Sequence, residues 1–126
     1  MADKEQIGLT PAGSAIMDRV LSTGYFTGKD YVAKLAIALA MQPDANVDGV
    51  KGAGTTWHTK GLDDTGEFIT AVELLYPHVT EPYRAIEGLI DSGLRMIGEH
   101  MDKRGELVLS ELVAASTNPA TAEKGS

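Results

Sequence analysis

Lys4-Glu5-Gln6-Ile7-Gly8-Leu9, followed at once by Thr10-Pro11, decides how the chain begins. Ile7 and Leu9 fall on one side of an extended segment, and Gln6, Gly8 and Thr10 on the other. This is the period-two alternation of a half-buried strand. Thr10 offers a side-chain oxygen to a helix start, and Pro11 takes the first helical position, where its missing N–H costs nothing. The spacing predicts a helix to about Thr23, with Ala15 or Ile16, Met17, Val20 and Leu21 as its apolar stripe and Gly24 ending it. Gly28-Lys29-Asp30 starts a second helix that runs to about Met41. In it Val32, Leu35, Ala36, Leu39 and Ala40 recur at helical spacing, while Ala33, Ile37, Ala38 and Met41 fill most of the remaining circumference. A helix apolar all round is buried against more than one neighbour. The strand needs a hydrogen-bonding partner too, either in its own chain or in a second copy of it.

Outward from this unit the character changes. Gln42 to Gly66 holds Pro43, Gly49, Gly52, Gly54, Gly61 and Gly66 among Asp, Asn and Thr, and reads as a linker or a functional loop. Trp57 and His58 stand out in it, with the Trp expected to dock on neighbouring structure. Asp64 to Glu67 has the form of a capping box, and Phe68, Ile69, Val72 and Leu75 give a helical stripe that stops at Pro77. Thr80 is the expected cap of a further helix to about His100, lined by Tyr83, Ile86, Leu89 or Ile90, Leu94, Ile97 and Met101. Its interior glycines, Gly88, Gly93 and Gly98, cost about 1 kcal/mol each relative to alanine, which points to a bend or to close backbone approach. Glu106 to Ala115 suits a short last helix, and residues 116–126 a disordered tail. The expected fold class is therefore mainly α. Residues 1–41 form a strand-helix-helix unit, 42–66 a Gly-rich linker or loop, and 67–115 an acidic helical unit.

Composition narrows the function classes. The chain has 126 residues and no cysteine, which excludes disulfides, thiolate metal sites and cysteine nucleophiles. No apolar run approaches the roughly 20 residues that span a bilayer, and Met1-Ala2-Asp3-Lys4-Glu5 lacks the form of a signal peptide, so the expected location is cytoplasmic with no membrane partner. The net charge of −7 is uneven. Residues 1–60 carry six bases and six acids, whereas residues 61–126 carry five bases and twelve acids. The acidic half disfavours polyanions, and the strongly basic stripe usual in nucleic-acid binders is missing.

Few residues combine into chemistry. His58, His78 and His100 are spaced too widely for a helical metal motif, and no metal or cofactor is expected. Gly49 to Thr56 lacks the Gly-Lys-Ser/Thr ending of a phosphate loop. Asp63-Asp64 at a helix start serves the helix more simply than it serves acid/base work. No catalytic triad or nucleophile elbow is present, so no enzyme is expected; a ligand pocket at Trp57 and His58 is the remaining catalytic alternative.

The order strand, helix, helix, with Ile7 and Leu9 inward and Gln6, Gly8 and Thr10 outward, resembles the ribbon-helix-helix family of dimeric DNA-binding proteins. The Ala/Leu-rich second helix is more loosely similar to the small E component of DNA phosphorothioation systems. The first resemblance covers about 40 residues and implies an antiparallel ribbon between two chains, laid in the major groove. It implies base-facing roles for Lys4, Gln6, Gly8 and Thr10, and phosphate anchoring by Thr27, Gly28 and Lys29 at the second helix start. The expected function is thus a homodimeric DNA-binding protein, a repressor or a DNA-modification accessory. The alternative is a helical scaffold or protein-interaction module without nucleic-acid binding, whose partner meets residues 67–115.

Overall fold

In the computed structural model, which describes residues 6–42, 45, 47 and 53–117, the chain is mainly helical with one small sheet. Strand β1, Gln6–Leu9, leads through Thr10 into α1, Pro11–Ser22. The expected cap is in place: the Gly13 N–H donates to Thr10 Oγ1 at 2.9 Å. Gly24, at φ +80°, turns the chain in the left-handed conformation that glycine adopts without strain. Helix α2, Lys29–Ala40, follows with Val32, Ala33, Ala36, Ile37, Leu39 and Ala40 buried, the many-sided burial that its composition demands.

The stretch expected as a linker or loop holds regular structure in its described part from Ala53 onward. Strand β2, Ala53–His58, runs into a short helix α3, Thr59–Leu62. β2 pairs antiparallel with β1, placing Gln6 opposite His58, Ile7 opposite Trp57 and Leu9 opposite Ala53. The partner of β1 therefore lies in the same chain, which corrects the expectation of a ribbon between chains. The ribbon-helix-helix assignment is not confirmed. Between the Ile7 and Leu9 pairs the register is irregular, because β2 advances four residues while β1 advances two. Trp57 packs on the core from this strand.

Helix α4, Glu67–Leu75, and the long α5, Pro82–Arg104, come next, then α6, Leu109–Thr117. α5 starts from Glu81 rather than Thr80, with Pro82 in its first turn and no side-chain cap. It runs one turn beyond His100 and ends at Gly105, φ +80°, with Lys103 and Arg104 at the negative end of its dipole. α6 begins and ends later than the expected 106–115, and it takes in Ser116 and Thr117 from the expected tail; residues 118–126 lie outside the described residues.

α5 is the axis of the molecule, in contact with α1, α2, α4 and β1. Its interior glycines answer the question of bend or contact. A Cβ on Gly93 would fall 2.0 Å from the Ala36 carbonyl oxygen of α2, one on Gly98 would fall 2.9 Å from Ile16 of α1, and one on Gly88 3.2 Å from the Val47 carbonyl. Close approach is thus met inside the chain, by backbone at Gly88 and Gly93 and by the Ile16 side chain at Gly98. One apolar cluster runs from Ile7 through Met17, Ile37, Leu62, Tyr76 and Leu94 to Leu112, so the segments on either side of 42–66 share a core. Among the described residues no helix is long and apolar enough to cross a membrane.

Candidate functional site

The residues expected to meet DNA do not form one outward face. Lys4 lies outside the described residues. Gln6 is exposed at the start of β1. Gly8 is buried, and its N–H donates to Glu87 Oε2 of α5 at 3.0 Å. Thr10 is half-buried; its hydroxyl donates to Asp91 Oδ1 at 2.6 Å while accepting from Gly13. An outward aspect for Gly8 and Thr10 is therefore corrected: both are held against α5. Successive N–H groups of a strand point to opposite edges, so with Ile7 and Leu9 paired to β2 the Gly8 N–H is left to the edge that α5 covers.

Glu87 and Asp91 stand one turn apart on α5 and are only 1% and 4% exposed. Buried carboxylates need donors, and β1 and the α1 cap supply them. Arg95 completes the set, its Nε 2.8 Å from Asp91 Oδ2. These acids tie β1 and α1 to the central helix.

At the start of α2, Thr27 and Lys29 are exposed. Gly28 is the N-cap residue in an extended conformation with no side-chain cap, and Asp30 lies in the first turn. An acid there already answers the positive helix end, where a phosphate would otherwise bind.

The histidines and the Trp57-His58 pair lie in separate places. His58 is exposed at the end of β2, beside the half-buried Trp57. His100 Nε2 accepts the Val108 N–H at 3.0 Å, joining α5 to the approach of α6. His78 lines a small open cleft of about 110 Å³ with Val47, Thr80, Glu81 and Arg84, and Arg84 pairs with Glu81 at 3.3 Å. Among the described residues no group of three or more potential ligands is placed to hold a metal ion.

Among the described residues large hydrophobic side chains are exposed at Tyr25, Tyr31 and Val113 and, as an adjacent pair, at Leu74 and Leu75 of α4. Its residues Phe68, Ile69, Ala71, Val72, Leu74 and Leu75 are apolar, yet only Val72 is fully buried. Leu74 is 77% exposed and Leu75 37% exposed. Leu75, expected in the buried stripe, is instead near its edge. Ala71, Leu74 and Leu75 stand at i, i+3 and i+4 and so share one side of the helix, with Glu67 one turn before Ala71. The fixed position of this face comes from Asp63. This buried acid accepts the N–H groups of Phe68 at 3.0 Å and Ile69 at 3.1 Å. It caps α4 in place of the Asp64-Glu67 box, because the N-cap position is Gly66 at φ +76°, which has no side chain to offer. At the other end the Tyr76 hydroxyl donates to the Gln42 carbonyl. Leu74 was legible only as surplus: α4 has more apolar residues than one buried face requires.

No protein-family model, curated protein or solved structure matches this chain.

Proposed function

We propose that this chain is a helical protein-interaction module that meets its partner through the outward side of α4 and does not bind nucleic acid. The exposure of Leu74, on a helix held rigidly at both ends, carries the reading. A large apolar side chain kept in water by a fixed helix gains most by being covered, and hot-spot residues sit on such fixed supports. The ribbon reading has less support, since β1 is paired within the chain and Gly8 is bonded to an acid on its other side. Its remaining elements are Gln6, Thr27 and Lys29, with no basic residue among the described part of the strand.

Photo-crosslinking in the cell that makes the protein tests this. A photoreactive residue at position 74 should give a covalent protein adduct, and one at exposed Lys34 on α2 should not. In parallel, solution mass is measured with and without mixed duplex DNA at low salt. Duplex binding that weakens steeply with salt, and less steeply after Lys29→Ala, would return the DNA reading in its place.

A further inference from the structure

We infer that His100 is a pH-sensitive latch, which holds α6 against the bundle while its ring is neutral and lets α6 open when the ring takes up a proton. The latch joins α5 to α6 and owes nothing to α4. His100 Nε2 is the acceptor for the Val108 N–H at 3.0 Å. A ring nitrogen accepts only when it carries no proton, so the bonded form is the neutral imidazole with its proton on Nδ1. Protonation turns Nε2 into a donor. It then faces the Val108 N–H donor to donor, and an attraction becomes a repulsion.

Val108 is the residue through which this bond acts on α6. It stands immediately before the helix, and its carbonyl accepts the Leu112 N–H at 3.2 Å to close the first turn. Its N–H goes back to α5 and its C=O goes forward into α6, so fixing Val108 fixes where α6 begins. α6 packs on α2, with Leu107 before it and Leu112 within it buried. Arg104 of α5 also pairs with Glu111 of α6 at 2.8 Å, but both side chains are about half exposed, and such a pair adds little.

The charges around His100 do not hold the protonated ring in the closed position. On α5 Glu99 pairs with Lys103, Asp102 pairs with Arg19 of α1, and Arg104 is taken by Glu111. Glu106 is exposed in the turn, and the charged residues of α2 are Lys29, Asp30 and Lys34. Among the described residues no ion pair reaches His100. The negative end of the α5 dipole favours a charged ring with α6 open or closed, whereas the Val108 bond exists only when α6 is closed. Only that difference between the two forms can shift their balance. The latch is therefore closed on the alkaline side and opens as pH falls from about 8 to about 5, the interval in which imidazole side chains take up a proton.

The test is amide protection from solvent exchange in the full chain, corrected for the intrinsic pH dependence of exchange, at about pH 7.5 and about pH 5.5. The Leu112 amide reports α6, and the Ile37 and Ala40 amides report α2. Leu112 protection should fall about tenfold relative to α2 at the lower pH, the effect of losing one hydrogen bond and leaving its donor unmet. His100→Gln supplies an acceptor that does not titrate and should keep Leu112 protected at both pH values. His100→Ala supplies none and should leave it weakly protected at both. His58→Gln with His78→Gln should retain the pH dependence of the parent.

Leu112 protection that is level with pH in the parent, or that falls only in step with α2, would overturn the latch and leave His100 a structural acceptor. So would a fall that persists in His100→Gln and His100→Ala, or one abolished by His58→Gln with His78→Gln.

Discussion

Gly93 on α5 lies so close to Ala36 on α2 that a methyl group at position 93 would sit 2.0 Å from the Ala36 carbonyl oxygen. The obstacle is backbone, which cannot rotate aside as a side-chain end can. Gly93→Ala therefore has to push α2 off α5, where Ile37 and Leu94 are fully buried. The expected cost is about 3 kcal/mol or more, at the upper end for overpacked cores, read as a loss of denaturant midpoint. Gly105→Ala is the control. It has open space around it but φ +80°, so its cost is the left-handed backbone penalty of about 1 to 2 kcal/mol.

The Glu87 carboxylate is the acceptor for the Gly8 N–H. Glu87→Ala removes that acceptor and leaves a buried donor and a void, a loss of about 2 to 4 kcal/mol. Glu87→Gln retains a carbonyl oxygen of similar reach and should cost less. Hydrogen exchange separates them: the Gly8 amide should exchange much faster in the Ala variant and keep part of its protection in the Gln variant.

Asp63 and Asp64 are neighbours with different work. Asp63→Ala deprives two N–H groups at the start of α4 of their acceptor and should lower stability by about 1 to 2 kcal/mol, as lost caps do. Asp64 is exposed, and Asp64→Ala should change the thermal midpoint little. Equal effects from the two would restore the capping box that the Asp64-Glu67 spacing suggested.

That spacing shows where the sequence is legible. Thr10-Pro11 marked a helix start correctly because the cap and its N–H lie three residues apart, and α2 was evident because its apolar positions repeat locally. For α4 the sequence points to Asp64 rather than Asp63, because the choice depends on Gly66 taking a positive φ, which fixes the direction of the turn before the helix. β2 is not legible locally, because Ala53-Gly54-Thr55-Thr56-Trp57-His58 has little apolar alternation and becomes a strand through pairing with residues far away in the chain. Glu87 and Asp91 look like surface acids on a helix. Their donors, Gly8 and Thr10, are about 80 residues earlier, beyond the reach of local periodicity. The same distance explains the site residues: alternation alone set Gly8 outward, whereas the α5 acids hold it in.

On the exposed side of α5, the Lys103 ammonium bonds Glu99 at 2.8 Å. Its hydrogen bond, and then its charge, hold the Glu99 carboxyl below the ordinary glutamate range, and Glu99 holds Lys103 above the usual lysine range. The sign follows: the folded chain favours ionised Glu99, so the pair's contribution is present above the ordinary glutamate range and fades as pH falls through the lowered value. For Lys103 the contribution is present below the ordinary lysine range and fades as pH rises through the raised value. A carbon-detected titration should find Glu99 titrating low, and Lys103→Met should return it toward normal. Added salt should do likewise, since both groups are exposed.

Pairing within one chain and pairing between chains respond differently to dilution. If β2 holds β1, protection of the Ile7 and Leu9 amides is a unimolecular property and should be the same across about a hundredfold range of protein concentration. A ribbon between sister chains would lose that protection as the protein is diluted. Trp57→Ala adds a second arm, because Trp57 lies opposite Ile7 and packs on the core from β2. The loss of a large aromatic side chain from the packed edge of a core should cost about 3 kcal/mol, with the β1 amides losing protection ahead of those in α5. Protection of β1 that survives Trp57→Ala unchanged but falls with dilution would place its partner in another molecule.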